Sequence, residues 1–176
     1  MAARKTKIVL DADVIIHFAK GGKLGLLPKI FPEYQFIVLD VVKREIPSLL
    51  LPMLQQQITQ EKTIAEETFG KTSGEMKEFA RLIARNGLAL GRGESACMVY
   101  CLYHHDVVGS SNIKDVAAYC EENGITYLTT NDFLYYAIQR GLLTKDEART
   151  FVREVRRMGS YPPEVDFSTY VCTKLI

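Results

Sequence analysis

The sequence predicts an α/β fold: one domain with a mostly parallel sheet of four or five strands flanked by helices. Three observations predict it. Short apolar runs rich in β-branched residues alternate with segments of helical period, the pattern of repeated strand–helix units. The chain has 176 residues, of which 47% are hydrophobic and 24% charged, enough to bury one core under a solvated surface. Acids and small polar residues follow the strand candidates, where open parallel sheets collect their sites.

The elements follow in order. Lys7–Asp11 is a short apolar strand ending in an acid, and Val14–Lys20 reads as a helix stopped by Gly21-Gly22. Leu24–Phe31 is a second helical piece, interrupted near Pro28 and Pro32. Gln35–Leu39 is the next strand, and Val41–Ile46 is a helical turn or two closed by Pro47. Ser48–Phe69 is Leu-rich, then Gln-rich, then acidic, and reads as helix with a loop. Glu75–Asn86 is amphipathic, with Met76, Phe79, Ala80, Ile83 and Ala84 on one stripe. Gly91-Arg92-Gly93 breaks the chain before a helix over Glu94–His104. Val107-Val108, Asn112–Asn123, Ile125–Leu128 and Asp132–Arg140 then alternate strand and helix. Thr144-Lys-Asp-Glu147 is a capping box opening a last helix to Met158. No repeat or linker divides the chain, so one domain is expected over 1–176, with a core of about 7–158 and a C-terminal extension over 159–176.

Composition excludes several function classes. No apolar run approaches the roughly 18–20 residues of a membrane span, so no membrane partner is expected. The basic start, Met1–Lys7, leads into an apolar run cut by Asp11 and Asp13, unlike a secretory signal. Cys97, Cys101, Cys120 and Cys172 form no CxxC pair and read as reduced thiols of a cytoplasmic protein. Lys and Arg number 22 against 21 Asp and Glu, so the chain is no global polycation.

The strand exits hold Asp11 and Asp13, then Asp40 and Glu45, then Ser110, Ser111, Asn112 and Asp115, then Thr129, Thr130, Asn131 and Asp132. Glu94 shares an apolar helical stripe with Cys97, Met98 and Cys101, and Glu45 lies on the face of Val41 and Val42. Both are expected to point inward, where a lone carboxylate is costly. Several such carboxylates at one edge repel, and a hard divalent cation such as Mg²⁺ or Mn²⁺ resolves the repulsion. Singly, Asp11, Asp13 and Asp132 read equally as helix caps, and Glu94 as a first-turn acid.

Two other motifs compete. Ile8–Val14 fits the hhhDxDxV opening of haloacid-dehalogenase-type phosphatases, with Thr129 and Lys114 as further members, but no late acidic pair follows in the required order. Cys97, Cys101 and His104 or His105 share one helix, whereas structural zinc takes ligands from two elements. For nucleic acid, Arg149, Arg153, Arg156 and Arg157 form a basic stripe that equally reads as a solvated face. Lys43, Arg44, Arg92 and Lys114 flank the acidic strand exits, where a phosphate backbone would pass.

The chain resembles the PIN-domain nucleases, in the branch with a GE motif before the central helix. Ile8-Val-Leu-Asp11-Ala-Asp13 resembles that family's first motif, with Asp13 in the usual Asn place. Val41–Ile46 resembles the segment of the second acid, Leu90–Ala96 the GE motif, and Val107–Asn112 the fourth motif, where Asn112 replaces an acid. Leu128-Thr-Thr and Ala137–Leu143 resemble the tail of that branch. The resemblance covers about 7–158 and implies a Mg²⁺- or Mn²⁺-dependent ribonuclease. Asp11, Glu45 and Glu94 would then be catalytic metal ligands, with Asn112 or Asp115 completing the set. Ser110, Arg92 and Lys114 would meet the substrate. It implies RNA as partner and, because many relatives are toxins, a small antitoxin protein; a homodimer is compatible with it. The alternative from the same residues is a catalytically weak PIN-like module that binds RNA or protein, motivated by Asn112.

Overall fold

The computed structural model describes residues 3–86, 90–174 and 176; Met1 and Ala2 of the basic start lie outside them. Five strands form one sheet in the order β3-β2-β1-β4-β5, and every pairing is parallel. They are β1 Lys7–Leu10, β2 Gln35–Leu39, β3 Ile64–Glu67, β4 Val107–Gly109 and β5 Tyr127–Leu128. Ile8, Val9 and Leu10 are all buried, as a strand covered on both faces requires. Leu10 pairs Val38 on one side and Gly109 on the other, so β1 is central.

The helices are α1 Ala12–Lys20, α2 Leu27–Ile30, α3 Asp40–Lys43, α4 Leu51–Thr59, α5 Ser73–Asn86, α6 Arg92–His104, α7 Ile113–Glu122, α8 Thr130–Gln139 and α9 Lys145–Arg157. One set packs through α1 against α4 and α9 and through α8 against α2 and α9; the other packs α6 against α3, α5 and α7. The chain runs from β1 outward to β3, then crosses back to β4 on the other side of β1. Connections leave the carboxyl ends of β1 and β4 in opposite directions, which opens a crevice between them.

The core beside α1 is aromatic. The buried Phe133 ring has centroids 6.1, 6.2 and 6.3 Å from Phe18, Phe31 and Phe36. Phe151 of α9 lies so close to Gly21 that a Cβ there would stand 2.1 Å from its ring, so only glycine ends α1 at this point. The C-terminal segment folds back on α8. Tyr170 and Lys174 both donate to Asp132, each at 2.6 Å, and Asn131 donates to the Pro163 carbonyl at 2.8 Å.

Three expectations need correction. Ser48–Phe69 contains the edge strand β3 as well as α4; its Ile64-Ala-Glu-Glu67 run has too few apolar residues to announce a strand. The buried side of α5 carries Glu75 and Leu82, while Met76 is exposed, so the stripe is turned by one position. Glu75 is buried because its carboxylate accepts from His104 at 2.8 Å and from the Thr72 N–H at 3.1 Å. Glu45 lies beyond α3 in a turn and is exposed, not inward, because the helix ends before the side chain could be carried round to the Val42 face.

Phe133→Ala should cost about 3–5 kcal/mol of stability, read by denaturant unfolding, because the ring joins α8 to Phe18 of α1, Phe31 beyond α2 and Phe36 of β2.

Candidate functional site

A wide, open depression lies at the crevice, lined by Asp11, Ala12, Asp13, Ile16, Glu45, Gly91, Glu94 and Asn112. Asp11 leaves β1 as the N-cap of α1: one oxygen accepts the Ala12 N–H at 2.8 Å, the other the Ser110 hydroxyl at 3.1 Å. Asp13 accepts the Val14 N–H at 2.6 Å and the Ser111 N–H at 2.8 Å. Glu94 is in the first turn of α6 and is buried. All three sit at helix N-termini, where the peptide dipoles favour negative charge.

Glu45 enters the depression from its rim. Its carboxylate accepts the Gly93 N–H at 2.9 Å. A Cβ on Gly93 would stand 2.5 Å from the other carboxylate oxygen, so this approach needs glycine. Asn112 donates its side-chain amide to Asp115 at 2.9 Å, and its polar side chain lowers the Glu94 carboxyl against the stronger upward pull of burial. Asp115 stands one step behind it.

Burial pushes the Asp11 carboxyl well above the usual range, and the Asp13 and Glu94 charges add to the shift. Burial raises Asp13 to about 6, against the pull of the Ser111, Val14 and Asn112 amides. Burial and then Asp13 raise Glu94 to about 7, with Asn112 opposing and Asp115 adding. Other buried acids each have a partner: Asp106 has Arg4, Asp132 has Lys174, and Glu75 has the His104 imidazole. Among the described residues, no Lys, Arg or His forms an ion pair with Asp11, Asp13, Glu45 or Glu94.

The donor set fits a hard divalent cation: carboxylates plus the Asn112 amide, with no sulfur or imidazole lining the depression. As the side chains stand, no three His, Cys, Asp or Glu among the described residues are gathered closely enough to hold one ion.

Other candidates fall elsewhere. Ser110 is fully buried behind Asp11, so it orients that carboxylate and has no surface with which to meet a substrate. Arg92 and Lys114 are exposed beside the depression without lining it, and the Arg92 guanidinium lies 5.8 Å from the Phe79 ring centroid. Asp40 accepts the Phe69 N–H at 2.9 Å and braces the chain after β3. Asp132 caps α8; burial alone would raise it, but Lys174, the Thr129 N–H and Tyr170 hold it below the usual range. Thus Asp40 and Asp132 are structural. Lys43 and Arg44 pair with Glu66 and Asp40, at 2.5 and 3.1 Å.

Most of the basic stripe on α9 is paired locally, with Arg149 on Asp146 and Asp166, Arg156 on Glu164 and Arg157 on Glu154, while Arg153 donates to the Thr150 hydroxyl. Cys97 and Cys101 are buried, and His104 is engaged by Glu75, which leaves no zinc set. Thr129, needed for the phosphatase reading, accepts the Asp132 N–H as a helix cap and does not line the depression.

Sequence reasoning did not place Asp13 among the site residues, nor His17, Ser111 or Thr130 beside it. The Asp-Ala-Asp spacing at a strand exit was a usable signal for Asp13. No local pattern announces the other three.

No family model matches the chain, and no curated protein matches it. Among solved structures, it is similar to a PilT N-terminus domain protein from the hyperthermophilic archaeon Sulfolobus solfataricus P2. The identity is 12%, the TM-score 0.43, and the match covers 72% of this chain and 89% of that one.

The raised acids set the pH dependence of the metal-free protein. In the folded chain Asp11, Asp13 and Glu94 keep protons that the unfolded chain has already released, so stability falls as pH rises from about 4 to 7. His17 acts oppositely, because burial and then Lys20 lower it to about 4, and its contribution is lost as pH falls. Three carboxyls outweigh one imidazole. The melting temperature in EDTA should therefore be higher near about pH 5.5 than near about 7.5, and Glu94→Gln should flatten that slope.

Proposed function

We propose that the protein is a Mg²⁺- or Mn²⁺-dependent ribonuclease. The observation that carries this is the contrast between buried acids. Asp106, Asp132 and Glu75 each have an ion-pair partner, whereas Asp11 and Glu94 share one depression with Asp13 and have no ion-pair partner among the described residues. Buried, mutually repelling carboxylates without a counter-ion are costly, and a bound cation removes that cost.

Asp11, Asp13 and Glu94 would hold the ion from the floor and Glu45 from the rim, with the Asn112 amide oxygen as a neutral donor. Bound there, the ion would supply the Lewis acidity that activates water and offsets charge on a scissile phosphate. The chain's own contribution is positional. Ser110 and the Ala12 amide orient Asp11, the Gly93 amide holds Glu45, and the Ser111 and Val14 amides orient Asp13. Exposed Arg92 and Lys114 beside the depression would steer the phosphate backbone. RNA as the substrate rests on the motif resemblance of Asp11, Glu45, Glu94 and the Ser110–Asn112 segment. The same resemblance extends the proposal to a cytoplasmic toxin neutralised by a small protein partner.

Two measurements test it. Calorimetric titration of the parent should show Mn²⁺ binding that Glu94→Gln weakens, and short single-stranded RNA should be cleaved with Mn²⁺ by the parent and not by Asp11→Asn. Equal cleavage by both proteins would assign the activity to a contaminant, and no binding at millimolar Mn²⁺ would favour a binding module, the reading that the neutral Asn112 supports.

Asn112→Asp gives a paired signature. It removes the amide donor that Asp115 accepts, at a cost of about 1–3 kcal/mol, and adds a charge beside Glu94. The variant should melt lower than the parent in EDTA and gain more from Mn²⁺. A melting temperature unchanged in EDTA would mean that the Asn112 amide does not support Asp115.

A further inference from the structure

The loop between β4 and α7 is gripped at Ser111 from two sides. On one side its N–H donates to Asp13 at 2.8 Å. On the other its hydroxyl accepts the Thr130 N–H at 2.9 Å and donates to the Thr130 hydroxyl at 2.7 Å. The Thr130 hydroxyl in turn lies 2.8 Å from His17 Nδ1. Asp13 and His17 are four residues apart on α1, so they share one helical face. The same face of α1 therefore holds Ser111 directly through Asp13 and indirectly through His17 and Thr130.

The Ser111-to-Thr130 bond sets the direction of this chain. Ser111 spends its hydroxyl hydrogen on Thr130, so the Thr130 hydroxyl hydrogen is left for His17. His17 must then accept at Nδ1, which requires the neutral imidazole. Burial, with Lys20 nearby, keeps the ring neutral at ordinary pH. Thr130 has no exposed surface and His17 almost none, so water does not compete for these bonds. A caps-only role would not need His17, because the α8 cap belongs to Thr129 and Asp132.

We infer that His17 and Thr130 are positioning residues for the metal site: they lock the Ser111 side chain so that the backbone of that loop holds the Asp13 carboxylate in the depression. The functional consequence rests on the metal-site reading, whereas the positioning itself is measurable without metal. Outer partners that orient a metal-binding group are worth about 10–100-fold in affinity.

The test uses ¹⁵N-labelled full-length protein. In EDTA, Thr130→Val and His17→Phe should each shift the Ser111 and Asn112 amide resonances and speed their exchange with solvent, and Thr130→Ser should leave both as in the parent. With Mn²⁺, Thr130→Val and His17→Phe should bind about ten-fold more weakly, with Thr130→Ser restoring parental affinity. Ser111→Ala, at a half-buried position, reads the same two amides if Thr130→Val does not fold. Unchanged amides in Thr130→Val or Ser111→Ala overturn the inference. Shifted amides with parental Mn²⁺ affinity reduce the chain to a structural brace and overturn its functional part. A parent that binds no Mn²⁺ overturns the metal-site reading instead, and the amides still decide whether His17 and Thr130 position the loop.

Discussion

Asp11, Asp13 and Glu94 bring three carboxyls together where β1 and β4 part, with no ion pair among the described residues to offset them. Their repulsion and desolvation work against folding, and the surrounding structure is arranged to contain that cost. Two helices begin here, α1 at Asp11 and Asp13 and α6 at Glu94, so both present N-terminal dipoles to the acids. The Ala12, Val14 and Ser111 amides and the Ser110 hydroxyl supply the donors. What remains is carried by raised proton affinity, which a cation can replace.

The rest of the molecule shows that the fold can neutralise a buried acid when nothing else is required of it. Asp106 is matched by Arg4 and the Lys7 N–H, and Asp132 by Lys174 and Tyr170. These acids tie termini to the body of the domain. The acids of the depression also reach distant segments, Asp11 to Ser110, Asp13 to Ser111 and Glu45 to Gly93, but these partners are amides and hydroxyls that orient without cancelling charge. Orientation without neutralisation is what a cation-binding site needs and what a merely stable fold avoids.

The sheet and most helices were readable because they depend on local signals. Lys7–Leu10 and Gln35–Leu39 are apolar runs that only a strand covered on both faces accommodates, and the Thr144-to-Glu147 capping box opens α9 as expected. β3 was missed because an edge strand with one buried apolar residue carries little pattern of its own; pairing with β2 makes it a strand. The stripe of α5 is turned because Glu75 is buried, which His104, from another helix, and the Thr72 N–H make tolerable. The spacing of Glu45 points inward, but α3 stops before it and the Gly93 amide sets its position.

By itself the sequence determined the α/β class, the carboxylates that follow β1 and open α6, and the neutral Asn112 in a place of interest, since each follows from local composition and period. Only the tertiary structure decided which acids share a site. Asp40 and Asp132 look like Asp11 in sequence, yet Asp40 braces the Phe69 amide and Asp132 binds Lys174, partners 29 and 42 residues away. The same holds for the chain from His17 through Thr130 and Ser111 to Asp13, whose members come from three elements. A hydrogen bond between distant segments leaves no periodic trace, because its energy depends on where the sheet brings those segments and not on what surrounds each residue in the chain.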